Sequence, residues 1–94
     1  MPLLVSWGDG HSMAMHDRFT VGRGDGPDIS IDDEFLSSPH ALFRLLDGEW
    51  VVEDLGSTNG TYVNGGFKRV YGPVRLSKGD RVRIGHTVLT VVPF

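Results

Sequence analysis

Three short clusters in this sequence join anion-binding side chains to turn-forming residues: Gly22-Arg23, Ser37-Ser38-Pro39-His40 and Ser57-Thr58-Asn59-Gly60-Thr61. An arginine is charged at neutral pH and presents a rigid fork of donors that matches phosphate oxygens. Serine and threonine hydroxyls donate to the same oxygens. One asparagine amide carries both donors and an acceptor, so it can hold an extended peptide by its main chain. Three loops converging on one anion would make a binding site of these groups. Taken singly, each residue has a plainer use: a solvated arginine, a loop serine, a Ser-Thr-Asn-Gly turn.

Catalytic readings of the same residues are weaker. Ser37, His40 and Asp54 are the residue types of a hydrolase triad, but no nucleophile-elbow sequence surrounds the serine. Gly22-x-Gly24-x-Gly26 lacks the helix and lysine of a nucleotide loop. His11 and His16, beside Asp9 and Asp17, are spaced for opposite faces of a regular strand, which argues against a metal site. Lys68, Arg69 and Arg75, with Tyr71 nearby, form the one basic cluster and are expected at a solvated edge or steering acidic ligands. No enzyme activity, metal or cofactor is expected.

Short strands must position the three clusters. Thirteen glycines and five prolines break the chain into pieces too short for an amphipathic helix. Between them lie stretches rich in Val, Ile, Leu, Phe and Trp: Leu3 to Trp7, Arg18 to Val21, Ile29 to Ile31, Ala41 to Leu46, Trp50 to Leu55, Thr61 to Val63, Val74 to Leu76, Arg81 to Ile84 and Thr87 to Val92. Arg81-Val82-Arg83-Ile84 alternates with the period of a strand, aliphatics to one face and arginines to the other. Asp9-Gly10, Asp25-Gly26, Asp47-Gly48, Asn64-Gly65 and Lys78-Gly79-Asp80 supply turns, Asn64-Gly65 being expected as a hairpin turn. Many short strands at this spacing indicate a β-sandwich or small barrel.

The chain as a whole narrows the partners. At 94 residues it has room for one core, and residues 1–94 are expected to form a single domain, whole or part of a larger protein. No apolar run approaches the roughly 20 residues that cross a bilayer. The first residues lack the basic flank and apolar stretch of a secretory signal, so a cytoplasmic location without membrane insertion is expected. There are no cysteines for disulfides or thiolate chemistry. A net charge of -3 opposes sequence-independent binding to nucleic acid or anionic lipid. Any anion must be held locally.

In their order and spacing, Gly22-Arg23, Ser37-x-x-His40 and Ser57-Thr58-Asn59-Gly60-Thr61, with Asn64-Gly65 and Gly79-Asp80…Ile84-Gly85 beyond, the sequence resembles the forkhead-associated (FHA) domain from about Leu3 to Val92. The resemblance implies an all-β, twisted two-sheet sandwich of about eleven strands. Its loops at one end would bind phosphothreonine peptides without catalysis. It further implies that Arg23, Ser37 and Thr58 hold the phosphate and Asn59 the peptide backbone, with Gly22, His40 and Gly60 bracing the site. His40 would act by internal hydrogen bonding and not touch the ligand. Phe35, Leu36, Ser38 and Pro39 would meet residues flanking the phosphothreonine. Ser38-Pro39 departs from the family, which often has basic residues there; it removes one source of phosphate attraction, while Pro39 stiffens the loop. The implied partners are proteins phosphorylated by a Ser/Thr kinase, including that kinase's own activation loop. The alternative is a phosphate-independent assembly domain using a sheet face or strand edge, with Phe67, Val70 and Tyr71 as its exposed feature.

Overall fold

Alternating apolar and polar residues give each sheet one face to bury, and the two buried faces meet in a single core. The computed structural model describes all 94 residues. The ten strands are β1 (Leu3–Trp7), β2 (His11–Met15), β3 (Phe19–Gly22), β4 (Ile29–Ser30), β5 (Ala41–Leu46), β6 (Glu49–Asp54), β7 (Thr61–Val63), β8 (Val74–Arg75), β9 (Asp80–Ile84) and β10 (Thr87–Pro93). One sheet has the order β2-β1-β10-β9-β7 and the other β4-β3-β5-β6-β8, five strands in each. All pairings are antiparallel except β3 with β4, where Val21 lies opposite Ile29.

The core shows why these strands hold together. Leu3 and Val5 of β1, Val82 and Ile84 of β9, and Leu89 and Val91 of β10 pack against Phe19, Val21, Phe43, Trp50 and Val52 of the facing sheet. Phe19 stacks on Phe43 with ring centroids 4.8 Å apart and meets Trp50 at a tilt. Burying a side chain of this size contributes about 1.5–3 kcal/mol. The Trp50 indole N–H, which burial would otherwise leave without a partner, donates to the Met1 carbonyl at 2.8 Å.

Two expectations need correction. β2 was not expected as a strand. Its residues His11-Ser12-Met13-Ala14-Met15 include no β-branched side chain, and four of the five are exposed, so its register comes from pairing with β1. Asn64-Gly65 takes the left-handed conformation, φ +51° and +72°, but closes no hairpin. Asn64 instead exchanges backbone and side-chain hydrogen bonds with Arg81, prolonging the β7–β9 pairing. The ten strands accord with the expected count of about eleven, and residues 64–73 return two main-chain bonds to β7, from Gly66 N–H to Val63 and from Val70 N–H to Thr61.

The connections β3–β4, β4–β5, β6–β7 and β9–β10 gather at one end of the sandwich. Hydrogen bonds from Arg23 to Ser37, from Thr58 to Ser37, from Asn59 to Phe35 and from His86 to Asp33 tie them to one another.

Candidate functional site

The site begins with a close approach that only glycine permits. A Cβ on Gly22 would lie 2.5 Å from the Ser37 carbonyl oxygen and 3.0 Å from the His40 nitrogen, so the end of β3 sits directly against the β4–β5 loop. The Arg23 N–H donates to that carbonyl at 3.2 Å, and the His40 N–H donates to Val21 at 2.9 Å. Gly22→Ala should therefore destabilise the domain by about 1–3 kcal/mol, because backbone atoms must move to admit the methyl group. Urea unfolding checks this, and an unchanged midpoint would contradict it.

His40 links two loops from inside. Fully buried, it accepts the Ser37 N–H at Nδ1 (3.1 Å) and faces the Gly60 carbonyl with Nε2 (2.8 Å). An N–H can only donate and a carbonyl can only accept, so these partners fix the neutral Nε2–H tautomer. Both ring nitrogens are committed, and the ring is not free to act on a ligand. No hydrolase triad exists, since Asp54 bonds elsewhere.

Asp54 is the hub of the β6–β7 loop. Its carboxylate, 1% exposed, accepts from the Ser57 N–H (2.9 Å), the Ser57 hydroxyl (2.5 Å), the Thr61 hydroxyl (2.9 Å) and Arg69 Nη2 (3.3 Å). Burial opposes its ionisation. The hydrogen bonds from Ser57 and Thr61 and the Arg69 charge outweigh that and hold the carboxyl below the usual carboxylate range. Arg69 also donates to the Ser57 carbonyl at 2.7 Å. Gly60 closes the turn at φ +88°, its N–H donating to the Ser57 hydroxyl.

So braced, the loops enclose a depression of about 400 Å³. Arg23, Ser37, Ser38, Thr58 and Asn59 line it, together with Glu34, Phe35 and Leu36. The Ser37 hydroxyl oxygen accepts the Thr58 N–H at 3.1 Å, which leaves the hydroxyl proton free to donate outward. Arg23 is exposed and has no acidic partner; the ion pairs of the molecule are Arg44–Glu53, Arg69–Asp54 and Arg75–Glu49. Asn59 donates one amide hydrogen to the Phe35 carbonyl at 2.9 Å and keeps its oxygen and second hydrogen.

A family model described as the FHA domain matches residues 19–85. The chain belongs to the FHA family. The FHA domain-containing protein FhaB of Mycobacterium tuberculosis is 41% identical over 73 residues, which cover 78% of this chain and 46% of that protein. The chain thus spans about half the length of the curated relatives it matches. A solved domain from a structural and functional study of phosphothreonine-dependent FHA domain interactions superimposes with a TM-score of 0.87 at 26% identity, covering 100% of this chain and 98% of that one. Mycobacterium tuberculosis EmbR, solved in complex with a low-affinity phosphopeptide, matches with a TM-score of 0.85 at 26% identity, over 97% of this chain and 24% of EmbR.

Within this FHA domain the expected site residues do not all fall where the sequence suggested. Leu36 lines the depression as expected beside the ligand, but it is only 4% exposed, most of its side chain lying in the core near the Gly85 turn. Pro39 is exposed outside the depression, and the Ser38–Pro39 peptide is cis. Phe35 is 40% exposed and stacks on His86 with centroids 4.2 Å apart, so it belongs to the surface and not to the core. The basic cluster is dispersed: Arg69 turns inward to Asp54 and Arg75 pairs with Glu49 at 3.2 Å.

The roles of three residues around the candidate site escaped sequence reasoning. Asp54 had a usable signal, the Asp-x-x-Ser spacing in which a carboxylate takes up a turn's N–H. Asp33 and Glu34 had none, since Asp32-Asp33-Glu34 reads as a solvated acidic run. Asp33 accepts from the Phe35 N–H, the His86 N–H and the Thr87 hydroxyl. Burial works against its charge, but these bonds and the nearby His86 hold its carboxyl below the ordinary range.

Proposed function

We propose that this FHA domain is a non-catalytic module, spanning residues 1–94, that binds phosphothreonine in cytoplasmic proteins phosphorylated by a Ser/Thr kinase. Arg23, Ser37 and Thr58 hold the phosphate and Asn59 holds the peptide backbone. The observation that carries this reading is the unpaired Arg23 guanidinium in one depression with the Ser37 hydroxyl, whose proton is left free by its bond from Thr58. A phosphothreonine carries about -1.5 to -2 charges and three strong acceptors. Charge-assisted hydrogen bonds to it contribute on the order of 1.5–3 kcal/mol each. His40 and Asp54 hold the loops before any ligand arrives, which lowers the ordering cost of binding. His40 is committed to Ser37 and Gly60, so its imidazole is not available as a general base.

The test is titration with degenerate phosphothreonine, phosphoserine and unphosphorylated peptide libraries. Binding confined to phosphothreonine supports the reading, and equal binding to all three rejects it. Glu34 sets a second expectation. Its carboxylate lines the same depression and repels a dianion, so Glu34→Gln should tighten phosphopeptide binding about two- to fivefold, within the range of exposed charge pairs. Calorimetry checks this, and weaker binding in the variant would place Glu34 among the ligand contacts.

One observation favours phosphate-independent assembly as a second reading. Phe67 is fully exposed and Tyr71 is 69% exposed, while Val70 is half-buried beside them. Concentration-dependent association without phosphate, lost in Phe67→Ser, would mark that reading.

A further inference from the structure

The depression around Arg23 continues past Asn59. Phe35 and Asn59 also line a second hollow of about 230 Å³, completed by Tyr62, Arg83, Gly85 and His86. Its walls are fixed. Val82 and Ile84 are fully buried on either side of Arg83, so the strand period turns Arg83 outward. The Arg83 guanidinium lies 4.3 Å from the centre of the Tyr62 ring. On the far wall Phe35 stacks on His86, and Asp33 anchors both residues through their N–H groups. A Cβ on Gly85 would meet Asp33 and Leu36 at 2.9 Å, so the β9–β10 turn fits closely over the β4–β5 loop.

The guanidinium of this hollow is unpaired, although the Asp33 carboxylate lies behind the wall that Phe35 and His86 form. Arg83 makes no ion pair, and Arg81, on the same outward face of β9, makes none either. The Asp33 oxygens are taken up by Phe35, His86 and Thr87. A guanidinium lying against an aromatic ring is held flat with its donor edge free, the geometry that receives a planar carboxylate or a phosphate bidentately. We propose that this second hollow takes an anionic side chain flanking the phosphothreonine, a carboxylate or a second phosphate, and that Arg83 is the residue that selects it. The proposal rests on the phosphothreonine reading and gives its partners a class: acidic or doubly phosphorylated segments.

The test uses phosphothreonine peptides on an alanine background, with one Asp placed at each flanking position in turn. A second set carries phosphothreonine at the position that Asp favours. Affinities are measured for the unaltered domain, R83M and R83E, with urea midpoints confirming that the variants fold. Asp should tighten binding about tenfold at one flank, since one charge-assisted hydrogen bond is of that size. The Asp-over-Ala ratio should fall to near one in R83M, and R83E should prefer Lys at the same position. A second phosphate that outcompetes Asp assigns the hollow to doubly phosphorylated segments; Asp at parity or better assigns it to acidic ones. Asp without effect at every position overturns the proposal while leaving the phosphothreonine reading intact, as does a gain that persists in both variants. No binding of any phosphothreonine peptide overturns both.

Discussion

Arg23→Ala is expected to weaken phosphothreonine-peptide binding by on the order of a hundredfold, the loss of about two charge-assisted hydrogen bonds. The guanidinium has no internal partner to release, so the whole effect should fall on the ligand. Because Arg23 is exposed, its removal should change stability by no more than about 0.5 kcal/mol. Arg23→Lys should recover only part of the affinity, since an ammonium supplies the charge but not the planar fork. Isothermal titration of both variants with one phosphothreonine peptide decides the matter. An alanine variant that binds as tightly as the unaltered domain would remove Arg23 from the site.

Asp54→Ala should have the largest effect on the fold, a loss of about 3–5 kcal/mol, because it breaks a buried pair and leaves a charge without its partner. Arg69 would lose its carboxylate, and the Ser57 N–H and both hydroxyls would lose their common acceptor. Against a typical domain stability of about 5–15 kcal/mol this approaches unfolding. The pH dependence follows the same carboxylate. Its folded-state value is depressed, so its contribution is present above the unfolded value near 3.9 and is lost as pH falls below about 4 through the folded value. Asp33 acts with the same sign. Urea midpoints measured from pH 7 to pH 2.5 should therefore hold steady and then drop below about pH 4. A midpoint that rises on acidification would contradict the role given to these two carboxylates.

How far the sequence reveals this molecule depends on how local each cause is. β1, β5 and β7 lie at the bounds the sequence suggests, because their apolar residues and flanking turns mark them directly. β2 carries no such mark: its Met13 is 45% exposed, and its pairing with β1 is a tertiary matter. The convergence of Arg23, Ser37, Thr58 and Asn59 was legible from three motifs in order. The carboxylates beneath them were not, since Asp33 serves an N–H 53 residues away. Arg69 was misread for the same reason, its partner Asp54 lying 15 residues earlier. Leu36, in a loop by sequence, turns inward because the Gly85 turn gives it a packed niche.

The bracing bears on function as well as on stability. Ser37 and Thr58 come from loops 21 residues apart, yet a direct hydrogen bond joins them, and His40 crosses between the same loops underneath. A site held in this way before the ligand arrives should show little backbone change on binding.

The most direct measurement is an NMR titration of the ¹⁵N-labelled domain with one phosphothreonine peptide, followed by phosphatase treatment in the same tube. The amide signals of Arg23, Ser37, Thr58 and Asn59 are expected to shift on addition and to return once the phosphate is removed. Shifts that persist after dephosphorylation, or that centre on β2 or on Phe67 and Tyr71, would contradict phosphate recognition at these loops.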